Sequence, residues 1–596
     1  MEVRDTVQDT AADQASRCER LHDLLALQAR LRPRDLACAV LDRAGRDTGS
    51  MTYVDLDRMA RAGAAHLLSS AEPGDRVLLM LPTCLDFVIG LFACAYAGMI
   101  AVPVPYPGTS AASAVSRLDR IASDAEPSLV ITTPDIADQP DRYGLGFVRA
   151  LALAGIPGEM ASQYRDPGHG AGAIAVLQYT SGSTSDPKGV QITHRNITAN
   201  LAQQEATYLP RLAVGDRWCM VSWLPLFHDM GLAQVVTSVF RGGLVILMPP
   251  TAFMLRPVLW LETITRFGGH MTCAPNFAYD LCTQRVTGDQ LTGLDLATWQ
   301  VALNGAEPVR ADTLERFVRK FRTAGFNPAA FMPSYGLAEA TVYVSGKAGA
   351  NGHLTISAPA VEHDAVIRPP EEAEQSRQVV SCGPIAAGFD LRIVDPQTHR
   401  QCPPDQVGEI WLAGDSVSPG YWRRPDARLN GLLADTPPPG AAPERRFLRT
   451  GDLGFCRDGE LYVLGRQDDV IVMDGRNHYP QDIELTVQKS HPALASGRAA
   501  AFAVESGGGI AIAVAVETGA KVRIADQAAA KALTTPAPVD RTEVIRAIRA
   551  AVSTEHQIGV ARVILLKPGV LPRTTSGKVQ RKRCRDLLLA GELSTW

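Results

Sequence analysis

The sequence predicts an α/β protein with a large N-terminal domain of several α/β subdomains, including a β-rich third subdomain, and a small α+β C-terminal domain. Up to Val380, short apolar runs alternate with longer helical patterns, which is typical of layered α/β folds. After Val380 the pattern changes to short strands separated by turn residues, which indicates the β-rich subdomain. A chain of 596 residues is also too long for one hydrophobic core.

In the first part of the chain, apolar runs predict buried strands and one amphipathic pattern, Thr313–Arg322, predicts a helix. The predicted strands are Arg76–Leu81, Leu129–Thr132, Ala173–Leu177, Leu244–Met248 and Met271–Ala274. Phe87–Val104 is uncharged and long enough to mimic a membrane span, but Gly98 and Pro103 divide it into a helix and a strand. We therefore expect this segment to lie in the core.

The elements predicted after Val380 are short. They are the strands Leu391–Asp395, Val407–Leu412, Ala499–Val504 and Gly509–Val516 and the amphipathic helix Thr542–Ser553. The proline-rich segment Thr436–Pro443 predicts a surface loop. From about Asp468 onward the chain is long enough to form an independent α+β domain with its own core.

The composition argues against nucleic-acid-binding, disulfide-rich and zinc-binding classes of protein. The formal charge of −4 gives no large field for nucleic acid, and the basic run Lys578–Arg585 is short, so we expect no nucleic-acid partner. Eleven scattered cysteines without a C-x-x-C pair argue against a disulfide framework and a zinc site. Met1–Arg20 has no apolar core, which predicts neither a secretory signal nor a transit peptide. These features predict a cytoplasmic enzyme without a transmembrane segment.

The segment Gln178–Val190 has the composition of a phosphate-binding loop. Gly182 lets backbone N–H groups approach an anion, and Lys188 adds a compact positive charge. Hydroxyl donors come from Thr180, Ser181, Ser183 and Thr184. The lysine precedes Gly189, so the order is not that of a Walker loop. A plain surface turn is the competing interpretation of such a loop taken alone.

Further motifs accompany this loop along nearly the whole chain. They are Asn304–Val309, Pro333–Thr341, Tyr421–Pro425, Arg449–Leu453, Gly465–Asp469 and Leu571–Lys578. Together with the loop, their residues and order resemble the signatures of the adenylate-forming superfamily, which includes acyl-CoA synthetases, luciferases and adenylation domains. The resemblance implies that ATP and Mg²⁺ are the cofactors.

Three segments resemble one branch of that superfamily, the fatty acyl-AMP ligases. They are Ser222–Leu232, Ala274–Tyr279 and Gly475–Glu484. Enzymes of this branch activate a long-chain fatty acid as acyl-adenylate, release pyrophosphate, and pass the acyl group to the phosphopantetheine thiol of an acyl carrier protein, feeding polyketide or peptide synthases. Residues 351–378 lie where the branch carries an insertion thought to restrict the smaller domain and disfavour coenzyme A.

The resemblance also implies a division into an AMP-binding domain over residues 1–467 and a mobile C-terminal domain over residues 468–596. The hinge between the two falls on Asp468. The Asp-Ser-Leu signature of a carrier domain does not follow Lys578 in the sequence. We therefore expect the acyl acceptor to be a separate chain.

The roles of the nucleotide-binding residues follow from the same resemblance. Tyr335 stacks on adenine, Asp452 accepts the ribose hydroxyls, and Arg466 reaches the sugar or the phosphate. The remaining contacts to ATP are assigned to Thr180, Ser181, Gly182, Ser183, Thr184, Lys188, Gly305, Ala306, Glu307, Ser334, Gly336, Leu337 and Ala338. The competing interpretations are a core position for Tyr335 and a turn position for Asp452.

Metal binding and catalysis are assigned to four side chains. Thr184 and Glu339 match the magnesium positions, although Glu339 could instead be a carboxylate at a helix N-terminus. Lys578, on a glycine-containing loop, is expected to bridge the substrate carboxylate and the α-phosphate. His228 is expected to orient the carboxylate or gate the acyl channel, and a structural histidine is the alternative.

The acyl chain requires an apolar slot, because each buried methylene contributes about 0.8 kcal/mol. The residues assigned to it are Trp223, Phe227, Met230, Phe277 and Tyr279, and most of these could instead be core. An amino acid substrate, with its ammonium near Asp229, is not excluded. Two other functions also stay open: a true acyl-CoA synthetase, and a non-catalytic acyl or nucleotide binder.

Overall fold

A computed structural model describes most of the chain. The described residues are 11–107, 111–146, 148–180, 187–209, 212, 218–349, 352–424, 446–473, 475–495, 497–506, 509–519, 524–525, 539–574 and 577–596. The predicted loop Thr436–Pro443 and six residues of the predicted phosphate loop, Ser181 to Asp186, lie outside them.

The helices of the described residues vary from one turn to four and a half turns. In chain order they are α1 (Ala11–Ser16), α2 (Leu21–Leu31), α3 (Tyr53–Leu68), α4 (Leu85–Ala97), α5 (Ala111–Ala125), α6 (Pro134–Ala137), α7 (His194–Thr207), α8 (Asp229–Arg241), α9 (Pro250–Leu255), α10 (Val258–Phe267), α11 (Asn276–Arg285), α12 (Gly288–Leu291), α13 (Ala311–Phe321), α14 (Ala358–Asp364), α15 (Pro480–Lys489), α16 (Arg541–His556) and α17 (Arg581–Leu589).

The strands are mostly short. In chain order they are β1 (Leu36–Leu41), β2 (Asp47–Thr52), β3 (Arg76–Met80), β4 (Ile100–Pro103), β5 (Leu129–Thr132), β6 (Arg149–Ala152), β7 (Ile174–Thr180), β8 (Lys188–Thr193), β9 (Cys219–Ser222), β10 (Leu244–Leu247), β11 (Met271–Ala274), β12 (Val301–Asn304), β13 (Phe331–Tyr335), β14 (Ser345–Gly346), β15 (His353–Ser357), β16 (Ser376–Pro384), β17 (Asp390–Val394), β18 (Gly408–Ala413), β19 (Leu448–Arg457), β20 (Glu460–Arg466), β21 (Ile471–Met473), β22 (Arg476–His478), β23 (Ala499–Ser506), β24 (Gly509–Glu517), β25 (Ile524–Ala525), β26 (Val539–Asp540) and β27 (Val560–Leu566).

Two mostly parallel sheets form the first part of the molecule. The larger sheet has the order β14-β13-β12-β11-β9-β10-β1-β2, and the smaller has the order β6-β5-β3-β4-β7-β8. Their inner strands read as continuous apolar runs because both faces are buried by helices. One extensive core, with Trp260 and Trp299 fully buried, fills the space between the sheets and helices. This arrangement confirms the predicted α/β class.

The segment Phe87–Val104 lies in this core, as predicted. Helix α4 ends at Gly98, which adopts a left-handed φ of 65°, and strand β4 follows directly. A search of the described residues finds no helix long and apolar enough to span a membrane. All eleven cysteines are free thiols.

The third sheet is antiparallel, with the order β15-β16-β20-β19-β18-β17. Strands β17 and β18 form where Leu391–Asp395 and Val407–Leu412 were predicted, each within one residue. The sheet begins earlier than the change of pattern at Val380 suggests, because residues 352–378 contribute β15, helix α14 and the start of β16. The segment predicted as an insertion is therefore a strand, a helix and a strand.

The last part of the chain forms a small α+β unit. Strands β23, β24 and β27 make a mixed sheet that packs on helices α15 and α16 around Val487, Leu494 and Ile548. Strand β23 extends the predicted Ala499–Val504 by two residues, and helix α16 extends the predicted Thr542–Ser553 by one residue at its start and three at its end. The carboxyl ends of strands from several sheets, together with this unit, surround one deep cleft.

Candidate active site

The cleft has a volume of about 2000 Å³ and lies between the two mostly parallel sheets, the third sheet and the C-terminal unit. Residues from segments far apart in the sequence line it. Of the residues assigned from the sequence, those lining it are Thr180, Lys188, Phe227, His228, Met230, Phe277, Gly305, Ala306, Glu307, Ser334, Tyr335, Gly336, Leu337, Ala338, Glu339, Asp452, Arg466, Asp468 and Lys578. The fold therefore brings the motif residues to one place.

Tyr335, Asp452 and Arg466 form one hydrogen-bonded group. Tyr335 ends strand β13 and donates its hydroxyl proton to Asp452 Oδ2 at 2.7 Å. Arg466 Nε lies 3.2 Å from the other oxygen, Asp452 Oδ1. The Asp452 carboxylate raises the pKa of Arg466, and burial raises the pKa of Tyr335 far above its usual range. Both carboxylate oxygens of Asp452 are thus contacted by neighbouring side chains at the wall of the cleft.

The loops on either side of this group have tight backbone geometry. A Cβ on Gly336 would lie 1.7 Å from the carbonyl oxygen of Val342, so only glycine fits there. Ala306 adopts a left-handed φ of 69°, an uncommon conformation for a residue with a Cβ. Glu307 accepts a hydrogen bond from the backbone N–H of Phe277 at 3.3 Å. These turns expose backbone groups to the cleft.

Glu339 and Lys188 meet at Tyr421. The Tyr421 hydroxyl donates to Glu339 Oε1 at 2.6 Å, and the Lys188 ammonium lies 5.2 Å from the centre of the Tyr421 ring. Thr180 ends β7 and Lys188 begins the antiparallel strand β8, so the predicted phosphate loop joins two paired strands. Tyr421 belongs to one of the predicted motifs but had no predicted role. In the structure its hydroxyl orients the Glu339 carboxylate.

The Lys578 side chain approaches the start of helix α8. Burial raises the pKa of the Asp229 carboxyl, and the nearby Lys578 ammonium partly offsets this increase. His228 precedes the helix, and its ring lies 5.1 Å from that of Phe227. The C-terminal unit therefore places Lys578 in the part of the cleft that is lined by Asp229 and His228.

Arg498, which sequence analysis missed, holds the loop that carries Lys578. Its guanidinium lies 4.6 Å from the centre of the Phe277 ring and donates to the Gly577 carbonyl at 2.5 Å. Gly577 has a φ of 87°, and a Cβ there would lie 2.8 Å from the Phe277 ring. Burial and nearby Arg573 lower the pKa of Arg498. A lone arginine before a strand gives no sequence signal for this contact.

A partly buried ion cluster links the same loop to the predicted hinge. Arg581 donates to Glu484 Oε1 at 2.7 Å and to Asp469 Oδ2 at 2.6 Å. Asp469 follows the exposed residue Asp468 in a short 3₁₀ turn. Glu484 is buried whereas Arg581 and Asp469 are partly exposed, and together they link the segment after Lys578 to the end of the hinge.

Two residues assigned to the acyl slot lie behind the cleft. Trp223 stacks on Phe253 with 4.0 Å between ring centres, and Tyr279 is fully buried and donates to the Leu303 carbonyl at 2.9 Å. Both are parts of the aromatic core. Their hydrophobic pattern is shared by core and ligand-lining side chains, which is why the sequence could not separate the two.

The segment predicted as an insertion contacts the C-terminal unit at three points. Gln375 Nε2 donates to the Thr554 carbonyl at 3.1 Å, and Arg377 Nε lies 3.2 Å from Asp482 Oδ2. On helix α14, Glu362 Oε2 lies 3.7 Å from His478 Nδ1. These polar contacts hold the small unit against the third sheet.

We expect the Glu362→Gln variant to be more stable than the parent protein above pH 7. Burial, with a contribution from Asp482, raises the pKa of Glu362 from 4.5 to about 7. The folded protein thus binds this proton more tightly than the unfolded chain does, so stability falls as pH rises from 4.5 to about 7. Glutamine removes this loss, which amounts to at most about 3 kcal/mol.

Thermal unfolding measured between pH 4.5 and pH 8 tests this expectation. The difference in Tm between Glu362→Gln and the parent should grow as pH rises and level off above pH 7. Glu372→Gln, at an exposed position in the same segment, is the matched control and should show no such trend. A Tm difference that is independent of pH would contradict the assignment.

The cleft also fits a magnesium ion bound together with nucleotide phosphates. Mg²⁺ prefers oxygen ligands and usually takes one or two carboxylates while keeping several waters. Glu339 presents such a carboxylate, oriented by Tyr421, and its assigned companion Thr184 lies outside the described residues. Within the described part of the chain, no group of three or more His, Cys, Asp or Glu side chains could hold a metal alone.

Family models match both parts of the chain. The AMP-binding enzyme model matches residues 25–422, and the model of the Disco-interacting protein 2-like AMP domain matches residues 468–595. A medium-chain-fatty-acid acyl-carrier-protein ligase, JamA of Moorena producens (strain JHB), is 39% identical over 97% of this chain and 96% of its own. The long-chain-fatty-acid AMP ligase FadD32 of Mycolicibacterium smegmatis is 35% identical over 95% and 93% of the two chains.

Solved structures agree with these relatives. The Legionella pneumophila fatty acyl-adenylate ligase in complex with acyl adenylate and pyrophosphate is 34% identical, with a TM-score of 0.73 over 98% of both chains. A structure from a study of fatty acyl-adenylate ligases of E. coli and L. pneumophila gives a TM-score of 0.81 at 30% identity, over 97% of this chain and 99% of the other. The chain belongs to the AMP-binding enzyme family, among its fatty acyl-AMP ligases.

Proposed function

We propose that the protein activates a fatty acid with ATP and transfers the acyl group to the thiol of a phosphopantetheinylated acyl carrier protein. A carboxylate oxygen attacks the α-phosphorus of ATP, the bond to pyrophosphate breaks, and an acyl-adenylate forms. The thiol sulfur then replaces AMP at the acyl carbon. The observation that carries this proposal is that Lys578, from the C-terminal unit, shares one cleft with Glu339 and Asp452.

Two anions must approach each other in the first step, so the protein has to supply positive charge and fixed donors. We assign Lys578 to bridging the carboxylate and the α-phosphate, since its ammonium lies close enough to Asp229 to offset part of the increase in pKa that burial causes in that carboxyl. His228, beside it, orients the acid. Phe227, Met230 and Phe277 give this end of the cleft an apolar wall for the alkyl chain.

The nucleotide contacts follow from the same cleft. We assign adenine to the Tyr335 side of the cleft with Gly305 and Ala306, and the ribose hydroxyls to Asp452 with Arg466. We assign the phosphates of ATP to Thr180, Lys188 and the loop residues Ser181 to Thr184. Glu339 and Thr184 would hold Mg²⁺, which would supply positive charge to the phosphates.

A carrier protein is a better acceptor than coenzyme A for this site. The contacts of Glu362, Gln375 and Arg377 hold the segment 352–378 against the C-terminal unit, which supports its assigned role in restricting that unit. The relatives named as a ligase of acyl carrier protein and as an AMP ligase support the same choice. All reagents of this reaction occur in the cytoplasm, where we propose that it takes place.

Product analysis by mass spectrometry tests this function. Purified protein is mixed with a fatty acid, ATP and Mg²⁺, and either coenzyme A or a phosphopantetheinylated carrier protein is added. We expect acyl-adenylate in both mixtures and acyl thioester only on the carrier. Abundant acyl-CoA would make the protein an acyl-CoA synthetase, and the absence of any adenylate would remove the proposal.

A further inference from the structure

One branch of the cleft runs along helix α8, away from Lys578. Met230, Ala233, Gln234 and Thr237 lie on successive turns of one face of this helix, and all four line the cleft. With a rise of 1.5 Å per residue, Thr237 is roughly 12 Å along the axis from Asp229. The branch is therefore a slot that leads from the reacting end of the cleft into the interior.

The walls of the slot are apolar, whereas its deep end is polar. Met220, Leu224, Met271, Cys273 and Leu303 line the cleft with side chains that suit an alkyl or aryl group. At the deep end the lining changes to neutral hydrogen-bonding side chains, and these are Gln204, Tyr208, Gln234 and Thr237. All four are at most 3% exposed.

Gln204 fixes the protons of the two hydroxyl groups at this deep end. Its Oε1 accepts a hydrogen bond from Tyr208 Oη at 2.7 Å and another from Thr237 Oγ1 at 2.9 Å. Its own Nε2 donates to Asn200 Oδ1 at 3.1 Å. Because both hydroxyl protons are directed at Gln204, the Tyr208 and Thr237 oxygens can offer only lone pairs to another group.

Gln234 adds a further acceptor. Its Nε2 donates to the Met230 carbonyl at 3.2 Å, whereas its Oε1 is buried and has no hydrogen-bond partner among the residues that the structure describes. The side chain is only 2% exposed. An unpaired buried acceptor is destabilising, and native structures contain few of them. The deep end thus combines three acceptors with a shortage of donors.

We propose that this slot selects carboxylic acids whose far end carries a hydroxyl group. The inference rests on the proposed adenylation of carboxylic acids and names the class of acid. A hydroxyl group supplies the one proton that Gln234 Oε1 lacks. An ammonium group would supply protons too, but the four side chains at the deep end are neutral and give no counter-charge. A methyl end leaves the acceptor unpaired.

The experiment compares matched acids in ATP–pyrophosphate exchange. One series contains straight-chain acids of 8, 10 and 12 carbons with and without a terminal hydroxyl, and the other contains phenylalkanoic acids with and without a 4-hydroxyl. A site built to bind a hydroxyl discriminates against the analogue that lacks it. We expect kcat/KM to be at least about tenfold higher for the hydroxy acid in one matched pair, and the two series distinguish aliphatic from phenolic hydroxyls.

Two variants connect this preference to the slot. Gln234→Leu and Thr237→Val should each lower kcat/KM for the preferred hydroxy acid and raise it for the plain acid, so the ratio falls at least about tenfold in Gln234→Leu. Ser238→Ala is the control, because Ser238 is buried on the same helix and donates to the Gln234 carbonyl instead of facing the cleft. It should keep the parent ratio.

The outcomes separate the two proposals. If no acid supports exchange, the adenylation function itself fails. If the parent enzyme uses plain acids as well as hydroxy acids at every length and in both series, the hydroxyl proposal is overturned and the adenylation function stands. An unchanged ratio in both Gln234→Leu and Thr237→Val would overturn it as well.

Discussion

The Lys578→Ala variant is expected to lose about 100- to 1000-fold in the rate of acyl-adenylate formation, the loss typical of removing one preorganised donor. Lys578 brings a positive charge from the C-terminal unit to the corner of the cleft beside Asp229. Without it, the carboxylate and the α-phosphate must approach each other with less compensating charge. The rate is measured as ATP–pyrophosphate exchange with a saturating acid.

The second half-reaction provides the control for this variant. When chemically prepared acyl-adenylate is supplied, Lys578→Ala should transfer the acyl group to a carrier protein at nearly the parental rate. Lys567→Ala removes an exposed lysine that packs on Trp596, and it should leave both half-reactions unchanged. Equal losses in both half-reactions of Lys578→Ala would show that the lysine has no special role in adenylation.

The Asp452→Asn variant is expected to raise the KM for ATP about 10- to 100-fold. The carboxylate of Asp452 is bound by Tyr335 and Arg466 and is assigned to the ribose hydroxyls. Hydrogen bonds to a charged group contribute about 1.5 to 3 kcal/mol, and the amide removes that charge without changing the volume. Steady-state exchange at varied ATP measures KM, and calorimetric titration with ATP measures the affinity directly.

A change on the neighbouring turn controls for effects on the β-hairpin. Asp458 lies at the turn between β19 and β20 with a φ of 52°, a conformation that asparagine tolerates. Asp458→Asn should therefore keep the parental KM for ATP. A KM within twofold of the parental value in Asp452→Asn would contradict the ribose assignment.

The sequence predicted the buried parallel strands best. Met271–Ala274 and Leu129–Thr132 form within the predicted limits, because a strand covered on both faces must be apolar throughout. The segment 351–378 was predicted only as an insertion, from its position in the chain, with no strand or helix assigned to it. Its described part folds as β15, α14 and the start of β16, with polar side chains that pair with the C-terminal unit. Such pairing depends on residues distant in sequence.

The candidate active site was likewise predicted only in part. The motifs predicted which loops would meet, and described residues from each of these motifs line one cleft. Apolar spacing could not distinguish Phe277, which lines the cleft, from Tyr279, which is buried in the core two residues later. Arg498 and Gln234 could not be found either, because their contacts depend on how separate elements pack.

Phe277 belongs to two surfaces at once. One edge of its ring meets Trp223 of the aromatic core at 5.8 Å, and its face is covered by Arg498 and Gly577. A rotation of the C-terminal unit, which the resemblance to the superfamily implies, would uncover that face, and we infer that the carrier thiol then enters on this side. Arg498 and Gly577 lie in the same unit as Lys578, so one rotation would both withdraw that lysine from the cleft and open this side of it.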